Sequence, residues 1–205
     1  EVKERIFNHL PGAYNVYNAL AAVSLACLLK IPMEKIKHAL SKIKVNGRME
    51  VVLQRDGHTV IVDYAHNAMG MKNLLQTLRS YNPGRLIVVF GCGGNRSKDR
   101  RYGMGGVAGE MADFSILTAD NSRYEKTEDI IADIESTLSK KSSAYIAIPD
   151  RREAIAYALA HAKRGDLIAV IGKGHEEYNE VNGQLTHFVD REVILEEADK
   201  LAEKK

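Results

Sequence analysis

The spacing of hydrophobic positions along the chain changes near residue 46. Before that point, apolar side chains crowd residues 19–29 at helical spacing, and a second short helix is predicted over residues 34–43. After it, short apolar segments with a different period begin. We therefore expect a short helical segment in residues 1–45, followed by a separate domain in residues 46–205.

Beyond residue 46, short apolar strands alternate with helices. A period of two on either side of Arg55-Asp56-Gly57 predicts a β-hairpin, and the wholly apolar run over residues 86–90 is typical of a strand buried on both faces. Further strands are predicted over residues 114–117, 144–148 and 167–171, helices over 67–81, 101–112, 127–138, 151–164 and 190–204, and a polar hairpin around Asn182-Gly183. This order predicts an α/β fold, a doubly wound, mostly parallel sheet with helices on both faces.

Composition narrows the classes of function. The chain has 205 residues, 45% of them hydrophobic, with 29 Lys and Arg against 27 Asp and Glu. A formal net charge of +2 gives no strong field, so neither nucleic acid nor a membrane surface is expected as a partner. Cys27 and Cys92 are too few for a disulfide framework or a four-cysteine zinc site, which favours a reducing cytoplasm and no bound metal.

Polar and glycine-rich residues follow four of the predicted strands. They occupy residues 63–66, 91–96, 120–123 and 172–176. In doubly wound sheets, ligands bind outside the carboxyl ends of the strands. The four loops therefore predict a binding site at that edge of the sheet.

The two glycine-rich loops also fit plainer interpretations. Gly91-Cys92-Gly93-Gly94-Asn95-Arg96 lets a ligand approach the backbone and offers Arg96 to a carboxylate or phosphate, but a tight turn is equally compatible. Gly172-Lys173-Gly174-His175-Glu176 offers Glu176 to an ammonium group, or simply to solvent. Neither loop is a dinucleotide-binding fingerprint, and the phosphate-loop pattern G-x-x-x-x-G-K-[ST] occurs nowhere in the chain.

Structural roles are favoured for the polar residues of the other two loops when each is taken alone. Asp120-Asn121-Ser122-Arg123 fits an Asx turn with a surface arginine. Asp63 and His66 suggest acid–base chemistry or a metal, but two groups make no convincing metal site, and a hydrogen-bonded strand end is favoured. Cys92 has no evident paired base and is interpreted as a small buried filler rather than a nucleophile.

Taken together and in order, these segments resemble the Mur ligases, the ATP-dependent amide-forming enzymes of bacterial peptidoglycan assembly. The resemblance extends from about Leu10 to the last helix and points to the diaminopimelate-adding branch. The segments that carry it are Gly12-Ala13-Tyr14-Asn15-Val16-Tyr17-Asn18, Gly47-Arg48-Met49-Glu50, Asp63-Tyr64-Ala65-His66, Gly91-Cys92-Gly93-Gly94-Asn95-Arg96, Asp120-Asn121-Ser122-Arg123, Asp150-Arg151 and Gly172-Lys173-Gly174-His175-Glu176.

The resemblance implies a three-domain enzyme of which this chain is a part. Residues 1–45 would be the last helices of the central ATPase domain, and residues 46–205 the C-terminal Rossmann-like domain that brings the incoming amino acid. The chain starts without Met and lacks the phosphate loop, so we expect a fragment that is inactive alone and binds neither ATP nor Mg²⁺. The full-length enzyme would use both, with the missing domains and a UDP-MurNAc-dipeptide as partners.

The resemblance also implies an ATP side to the site. In the family, ATP phosphorylates a substrate carboxylate, and the amine of an amino acid attacks the acyl phosphate. Asn15 and Asn18 would lie on the nucleotide side of the central domain. Arg48 would face phosphate and Asp63 the ribose, with His66 close by. The protein contributes positioning and charge neutralisation more than covalent chemistry. No catalytic residue is expected in this chain, because it lacks the catalytic residues of the central domain.

The acceptor side implied by the resemblance suits meso-diaminopimelate, which carries two carboxylates and two amino groups. Arg96 would hold the carboxylate near the reacting amine, and Arg123, helped by Asn121, the distal carboxylate. Glu176 and the carbonyl of Gly172 would receive the distal ammonium. L-Lysine lacks the distal carboxylate, and a buried, unpaired guanidinium at Arg123 would disfavour it.

Two other interpretations remain open. One is a Mur-like paralogue with another acceptor, either L-lysine or one typical of cyanophycin or folylpolyglutamate synthetases. Ser122 and Asn95 stand where the diaminopimelate branch usually has Pro and Asp. The other is a binding module without catalysis of its own.

Overall fold

A sheet of six strands organises the larger part of the chain. The computed structural model describes residues 5–6, 12–43, 45–142 and 144–203, so Leu10 and Lys204, named in the sequence predictions, lie outside the described residues. The chain divides into two compact units, residues 1–45 and residues 46–205.

The first unit is helical. Its helices are α1 (Ala13–Leu28) and α2 (Met33–Lys42), the second one residue earlier than predicted because Pro32 caps it. Ile36 and Leu40, one turn apart on α2, are buried. No helix in the described ranges is long and apolar enough to cross a membrane.

The second unit contains the sheet. Its strands are β1 (Glu50–Arg55), β2 (His58–Asp63), β3 (Leu86–Phe90), β4 (Phe114–Leu117), β5 (Tyr145–Ala147) and β6 (Leu167–Ile171), in the spatial order β1-β2-β6-β3-β4-β5. All pairings are parallel except β1 with β2, the predicted hairpin. Asp56 and Gly57, at its tip, both have positive φ, as a type I′ turn requires.

Helices cover both faces of the sheet, which confirms the doubly wound α/β fold. They are α3 (Ala68–Arg79), α4 (Asp99–Met111), α5 (Thr127–Leu138), α6 (Arg151–Ala160) and α7 (Asp190–Glu203). One hydrophobic cluster joins α3, α4 and α5 to Val88 and Phe90 of β3, and the other joins α6 and α7 to Ile87 and Val89. The side chains of β3 alternate between two cores, which is why the strand is apolar throughout.

Helix boundaries differ from the prediction where polar residues end or begin the helix. α3 starts after Asn67, whose side chain accepts a hydrogen bond from the backbone N–H of Gly70 at 2.8 Å. The predicted helix over 151–164 was wrong at its end, since α6 stops at Ala160. Beyond it the carboxylate of Asp166 accepts from the N–H of Lys163 at 2.7 Å, which shapes the turn into β6.

The strand order determines where a site can form. The chain runs from β3 outward to β4 and β5, then returns along α6 to place β6 between β3 and β2. The loops that follow β3 and β6 are therefore neighbours at the switch point of the sheet, where doubly wound folds bind ligands. The loops that follow β2 and β4 flank them.

A buried ion pair stabilises the carboxyl edge of the sheet, where β4 and β6 end. Arg151 pairs with both carboxylate oxygens of Asp190 at 2.7 Å, and both side chains are almost fully buried. Arg151 also donates to the carbonyls of Ala119 and Ile171, both at 3.0 Å. Burial alone would lower the pKa of the Arg151 guanidinium, but the charge and hydrogen bonds of Asp190 raise it. The pair joins α6 and α7 to the ends of β4 and β6.

Replacing one member of this pair should destabilise the fold strongly. We expect Arg151→Met to lower the free energy of unfolding by about 3–5 kcal/mol, because it leaves the Asp190 carboxylate buried without its partner. Urea unfolding followed by circular dichroism measures this. The matched control is Arg152→Met, since Arg152 pairs with Glu196 and Glu197 at an exposed position, and its loss should cost less than about 1 kcal/mol. Equal effects of the two changes would contradict the assigned role.

Candidate functional site

A cavity of about 410 Å³ opens at the carboxyl edge of the sheet. It lies where the loops after β2, β3, β4 and β6 meet, as predicted. Its lining is formed by Tyr64, His66, Gly91, Cys92, Gly93, Arg96, Arg100, Asp120, Asn121, Arg123, Gly172, Glu176 and Tyr178.

All five residues predicted for the acceptor side line this cavity, and His66 lines it with them. Arg48 lies beside it, with its guanidinium carbon 4.6 Å from the centre of the Tyr64 ring. Asn15 and Asn18 belong to α1 in the first unit, where Asn18 Nδ2 donates to Asn15 Oδ1 at 3.2 Å. The structure thus brings the acceptor candidates together, while the ligand roles of all these residues stay predictions.

The glycines of the loop after β3 allow it to pack closely against the loop after β4, as much as they allow a ligand to approach. A Cβ on Gly94 would lie 1.9 Å from the carbonyl oxygen of Ser122, and the N–H of Gly94 donates to the carbonyl of Asn121 at 2.8 Å. The two loops therefore pack backbone against backbone. Asn95, which follows, adopts φ +53° and accepts from the N–H of Tyr124 at 3.1 Å through its side chain.

A second close approach places Arg48. Gly47 has φ +65°, and a Cβ there would lie 2.2 Å from backbone atoms of Gly174 and His175. The N–H of Gly47 donates to the carboxylate of Glu50 at 2.8 Å. This tight contact sets Arg48 against the ring of Tyr64 and leaves its guanidinium exposed.

Asp63 stabilises the same turn. Its Oδ2 accepts from the N–H of Met49 and its Oδ1 from the N–H of Ala65, both at 2.8 Å. Burial raises the pKa of the Asp63 carboxyl, although these two hydrogen bonds and Arg48 oppose the shift. Asp63 is thus a hydrogen-bonded strand end, and any contact with a ligand must use the remaining lone pairs.

Glu176 is held on both carboxylate oxygens. Oε2 accepts from Asn121 Nδ2 at 2.8 Å and Oε1 from the hydroxyl of Tyr64 at 3.2 Å. Burial and the negative charge of Glu176 raise the pKa of the Tyr64 phenol, which keeps it a proton donor at neutral pH. The carboxylate therefore faces the cavity in a fixed direction, with lone pairs left for a cationic ligand.

Arg123 is also held, which corrects one expectation. Its Nε pairs with the carboxylate of Glu180 at 3.0 Å, and its Nη1 donates to the carbonyl of Gly94 at 2.9 Å. Glu180 belongs to β7 (Tyr178–Val181), which forms a two-stranded hairpin with β8 (Gln184–His187). The expected unpaired guanidinium was wrong, because sequence reasoning did not connect this distant hairpin to the loop. With a ligand that has no distal carboxylate, Arg123 still keeps the Glu180 carboxylate and the carbonyl of Gly94 as partners.

The mouth of the cavity carries two less constrained cations. Arg96 and Arg100 are exposed, and within the described ranges neither side chain forms an ion pair or a hydrogen bond. Such guanidinium groups can turn toward an anionic ligand at little cost.

Lys173 is the polar residue that sequence reasoning missed. It is fully buried, and its ammonium donates to Asn121 Oδ1 at 2.9 Å and to the carbonyl of Tyr178 at 2.6 Å. Burial lowers the pKa of the Lys173 ammonium, while Asp120, 3.7 Å away, opposes the shift. The available signal was its place between two glycines directly after a strand buried on both faces.

No three His, Cys, Asp or Glu side chains converge as a metal-binding group in the parts of the chain that the structure describes. Burial, with the charge of Asp120, raises the pKa of the Cys92 thiol to about 12. Its Sγ packs 3.7 Å from the sulfur of Met104, as a core filler does.

Thiol labelling tests this interpretation of Cys92. In the Cys27→Ser variant, which lacks the exposed cysteine, we expect no reaction with a chromogenic disulfide reagent at pH 7.5 until the protein is unfolded, because the Cys92 thiol is buried and protonated. The wild type should show one fast-reacting thiol, that of Cys27. Rapid labelling of folded Cys27→Ser would identify Cys92 as a reactive thiol instead.

Comparison with known proteins identifies a family and similar relatives. The pattern of the family described as "Mur ligase, glutamate ligase domain" matches residues 47–174. A UDP-N-acetylmuramoyl-L-alanyl-D-glutamate--2,6-diaminopimelate ligase of Caldanaerobacter subterraneus subsp. tengcongensis is 46% identical over 194 residues, 95% of this chain and 40% of that protein. One from Clostridium botulinum is 44% identical over 198 residues, with the same shares covered.

Comparison with solved structures gives the same result as the sequence comparison. A structure of a UDP-N-acetylmuramoyl-L-alanyl-D-glutamate--2,6-diaminopimelate ligase matches with a TM-score of 0.74 and 34% identity, over 96% of this chain and 40% of that one. A folylpolyglutamate synthase of Mycobacterium tuberculosis has a TM-score of 0.65 at 20% identity, over 82% of this chain and 39% of that one, a likeness of fold alone. The chain spans about 40% of the length of the curated relatives named above.

Proposed function

The chain belongs to the Mur ligase family, and from that premise we propose that it forms the acceptor-binding part of a ligase that adds meso-diaminopimelate to UDP-N-acetylmuramoyl-L-alanyl-D-glutamate. In the proposed reaction, a carboxylate of the UDP-sugar dipeptide takes the terminal phosphoryl group of ATP, which gives an acyl phosphate and ADP. A neutral amine of diaminopimelate attacks the acyl carbon. The new C–N bond forms, the nitrogen gives one proton to the leaving phosphate or to water, the bond between the acyl carbon and the phosphate oxygen breaks, and phosphate leaves.

The distribution of charge around the cavity is the observation that supports this proposal. Arg96, Arg100 and Arg123 bring positive charge to it, and Glu176 brings a negative charge that is fixed in direction. meso-Diaminopimelate is a zwitterion with a carboxylate and an amino group at each end. The cavity matches such a ligand better than it matches a simple anion, because Glu176 would repel an anion.

The inner part of the cavity suits the distal end of the ligand. Arg123 retains Nη2, which makes no hydrogen bond within the described ranges, and Asn121 Nδ2 retains its second N–H. We assign the distal carboxylate to these donors. The distal ammonium goes to Glu176 and to the carbonyl of Gly172, which also lines the cavity. Each of these groups is held by the protein before a ligand binds, which limits the entropy lost on binding.

The outer part suits the reacting end. Arg96 would hold the carboxylate beside the attacking amine, and its position at the mouth of the cavity keeps that amine within reach of an acyl phosphate outside. The chain thereby acts through positioning and charge neutralisation, which together supply a large part of the rate enhancement in such transfers.

The proposed ATP contacts use the exposed groups next to the cavity. The Arg48 guanidinium, stacked on Tyr64, is suited to a phosphate. His66 and the remaining lone pairs of Asp63 would lie near the ribose. A nucleotide role for Asn15 and Asn18, which belong to the first unit, rests on the resemblance to the family alone. The described residues offer no cluster of metal ligands, and we propose that the Mg²⁺ used with ATP is held by the rest of the ligase.

Two observations weigh on the alternative acceptors. Arg123 gives the cavity a cation that L-lysine would leave without a ligand carboxylate, which favours diaminopimelate over lysine. Its pairing with Glu180 reduces that preference, because the guanidinium is not left wholly uncompensated. Arg96, Arg123 and Glu176 together also weigh against a cyanophycin- or folylpolyglutamate-type acceptor.

Removal of the Arg123 charge tests the acceptor assignment. In the whole ligase, we expect Arg123→Gln to raise the KM for diaminopimelate roughly 10- to 100-fold, the effect of a lost charge-assisted hydrogen bond, and to leave the KM for ATP unchanged. Arg152→Gln is the matched control, because Arg152 is paired on the exposed surface of α6. Steady-state ligation with diaminopimelate and with L-lysine measures both variants.

Two outcomes would contradict the assignment. One is a wild-type ligase that prefers L-lysine. The other is an Arg123→Gln ligase whose KM for diaminopimelate equals that of the wild type.

The 205-residue chain alone should not hydrolyse ATP. Its sequence has no phosphate-loop pattern, and its described residues have no cluster that would hold Mg²⁺. A phosphate-release assay on the purified chain measures this, with and without diaminopimelate. Turnover that persists after repeated purification would show that the chain is catalytic by itself.

A further inference from the structure

The direction of one side-chain amide decides what the cavity offers to a ligand. Asn121 Oδ1 accepts from Lys173 Nζ and from the backbone N–H of Glu180, both at 2.9 Å. A flipped amide would set its NH₂ group against these two donors, lose both hydrogen bonds, and turn its oxygen toward the Glu176 carboxylate. Asn121 is therefore fixed with its donor toward Glu176 and the cavity.

Lys173 is the charged group among the two donors that fix the direction of the Asn121 amide. Its side chain is fully buried and does not line the cavity. Its ammonium is directed at Asn121 Oδ1 and the carbonyl of Tyr178, with Asp120 3.7 Å away. A buried ammonium costs desolvation, and an apolar side chain of similar length would avoid that cost. Its effect on a ligand has to pass through the groups it binds.

Asn121, once its direction is fixed, orients the Glu176 carboxylate. Asn121 Nδ2 donates to Glu176 Oε2 at 2.8 Å, while Tyr64 holds the other oxygen. With the amide fixed, the cavity presents an N–H group and a carboxylate side by side. A ligand carboxylate can accept a hydrogen bond from the N–H group, and a ligand ammonium can pair with the carboxylate.

We propose that Lys173 is a positioning residue that makes the cavity selective for an amino acid whose distal end carries both a carboxylate and an ammonium. It acts by orienting Asn121, and through Asn121 it orients Glu176. This inference rests on the proposed function, because the selectivity is measured as a choice of acceptor.

The first test replaces the ammonium and keeps the length of the stem. In the whole ligase, Lys173→Met should raise the KM for diaminopimelate by about 10-fold and lower the preference for diaminopimelate over L-lysine by a similar factor. The kcat and the KM for ATP should stay within about 2-fold of wild type. Lys200→Met is the matched control, since Lys200 is exposed on α7 and paired with Glu197. It should change none of these values.

A double-mutant cycle tests the route through Asn121. Asn121→Ala alone should lower the acceptor preference as Lys173→Met does. In the Asn121→Ala background, Lys173→Met should then change the preference by less than about 2-fold, because the side chain it orients is absent. Independent, multiplying effects would overturn the proposal.

A second variant keeps the proposal testable if Lys173→Met does not fold, which an unfolding curve reveals. Asn121→Asp retains an oxygen for Lys173 and for the N–H of Glu180, but replaces the donor toward Glu176 with an acceptor. It should lose the preference for diaminopimelate while staying folded. A retained preference would overturn the proposal.

Failure of this inference is distinguishable from failure of the proposed function. If the wild-type ligase does not use diaminopimelate, the proposed function fails and the inference fails with it. If the wild type uses diaminopimelate, and Lys173→Met lowers kcat without changing the acceptor preference, the role of Lys173 is structural and the inference alone is overturned.

Discussion

The cavity at the carboxyl edge of the sheet depends on one buried guanidinium. Arg151 donates to the carbonyls of Ala119 and Ile171, at the points where β4 and β6 give way to loops, and Asp190 neutralises it from α7. Because Arg151, Asp190 and Ile171 are buried, the bonds between them have no ready substitute in water. The loops that carry Asn121 and Glu176 thus start from fixed positions.

The cavity is rigid at its inner end and adaptable at its mouth. Arg123 and Glu176 are held by oppositely charged or hydrogen-bonding neighbours before any ligand arrives. Arg96 and Arg100 are exposed and lack such partners among the described residues. In the proposed reaction, the rigid inner end would select the acceptor. The exposed arginines at the mouth would adjust their positions as the attacking amine becomes an amide.

The sequence predicted the sheet and the edge at which the cavity opens, but not the contacts that hold the cavity residues in place. The strands over residues 86–90, 114–117 and 167–171 were predicted with correct bounds, because each is a short and largely apolar run, and the first and last are buried on both faces. The chain returns along α6 to place β6 between β2 and β3. This position depends on tertiary packing, and a local sequence pattern does not predict it.

The roles of Lys173 and Glu180 were missed for a related reason. Each is a charged residue in a polar loop or hairpin, the usual pattern of a solvated surface, and its partner lies more than 50 positions away. The interlocked loops after β3 and β4, joined backbone to backbone at Gly94 and Ser122, have one more consequence. Neither loop can gain or lose a residue without displacing the other. In the proposed ligase, the acceptor preference can therefore diverge through exchange of side chains, while the length of both loops stays constrained by their packing.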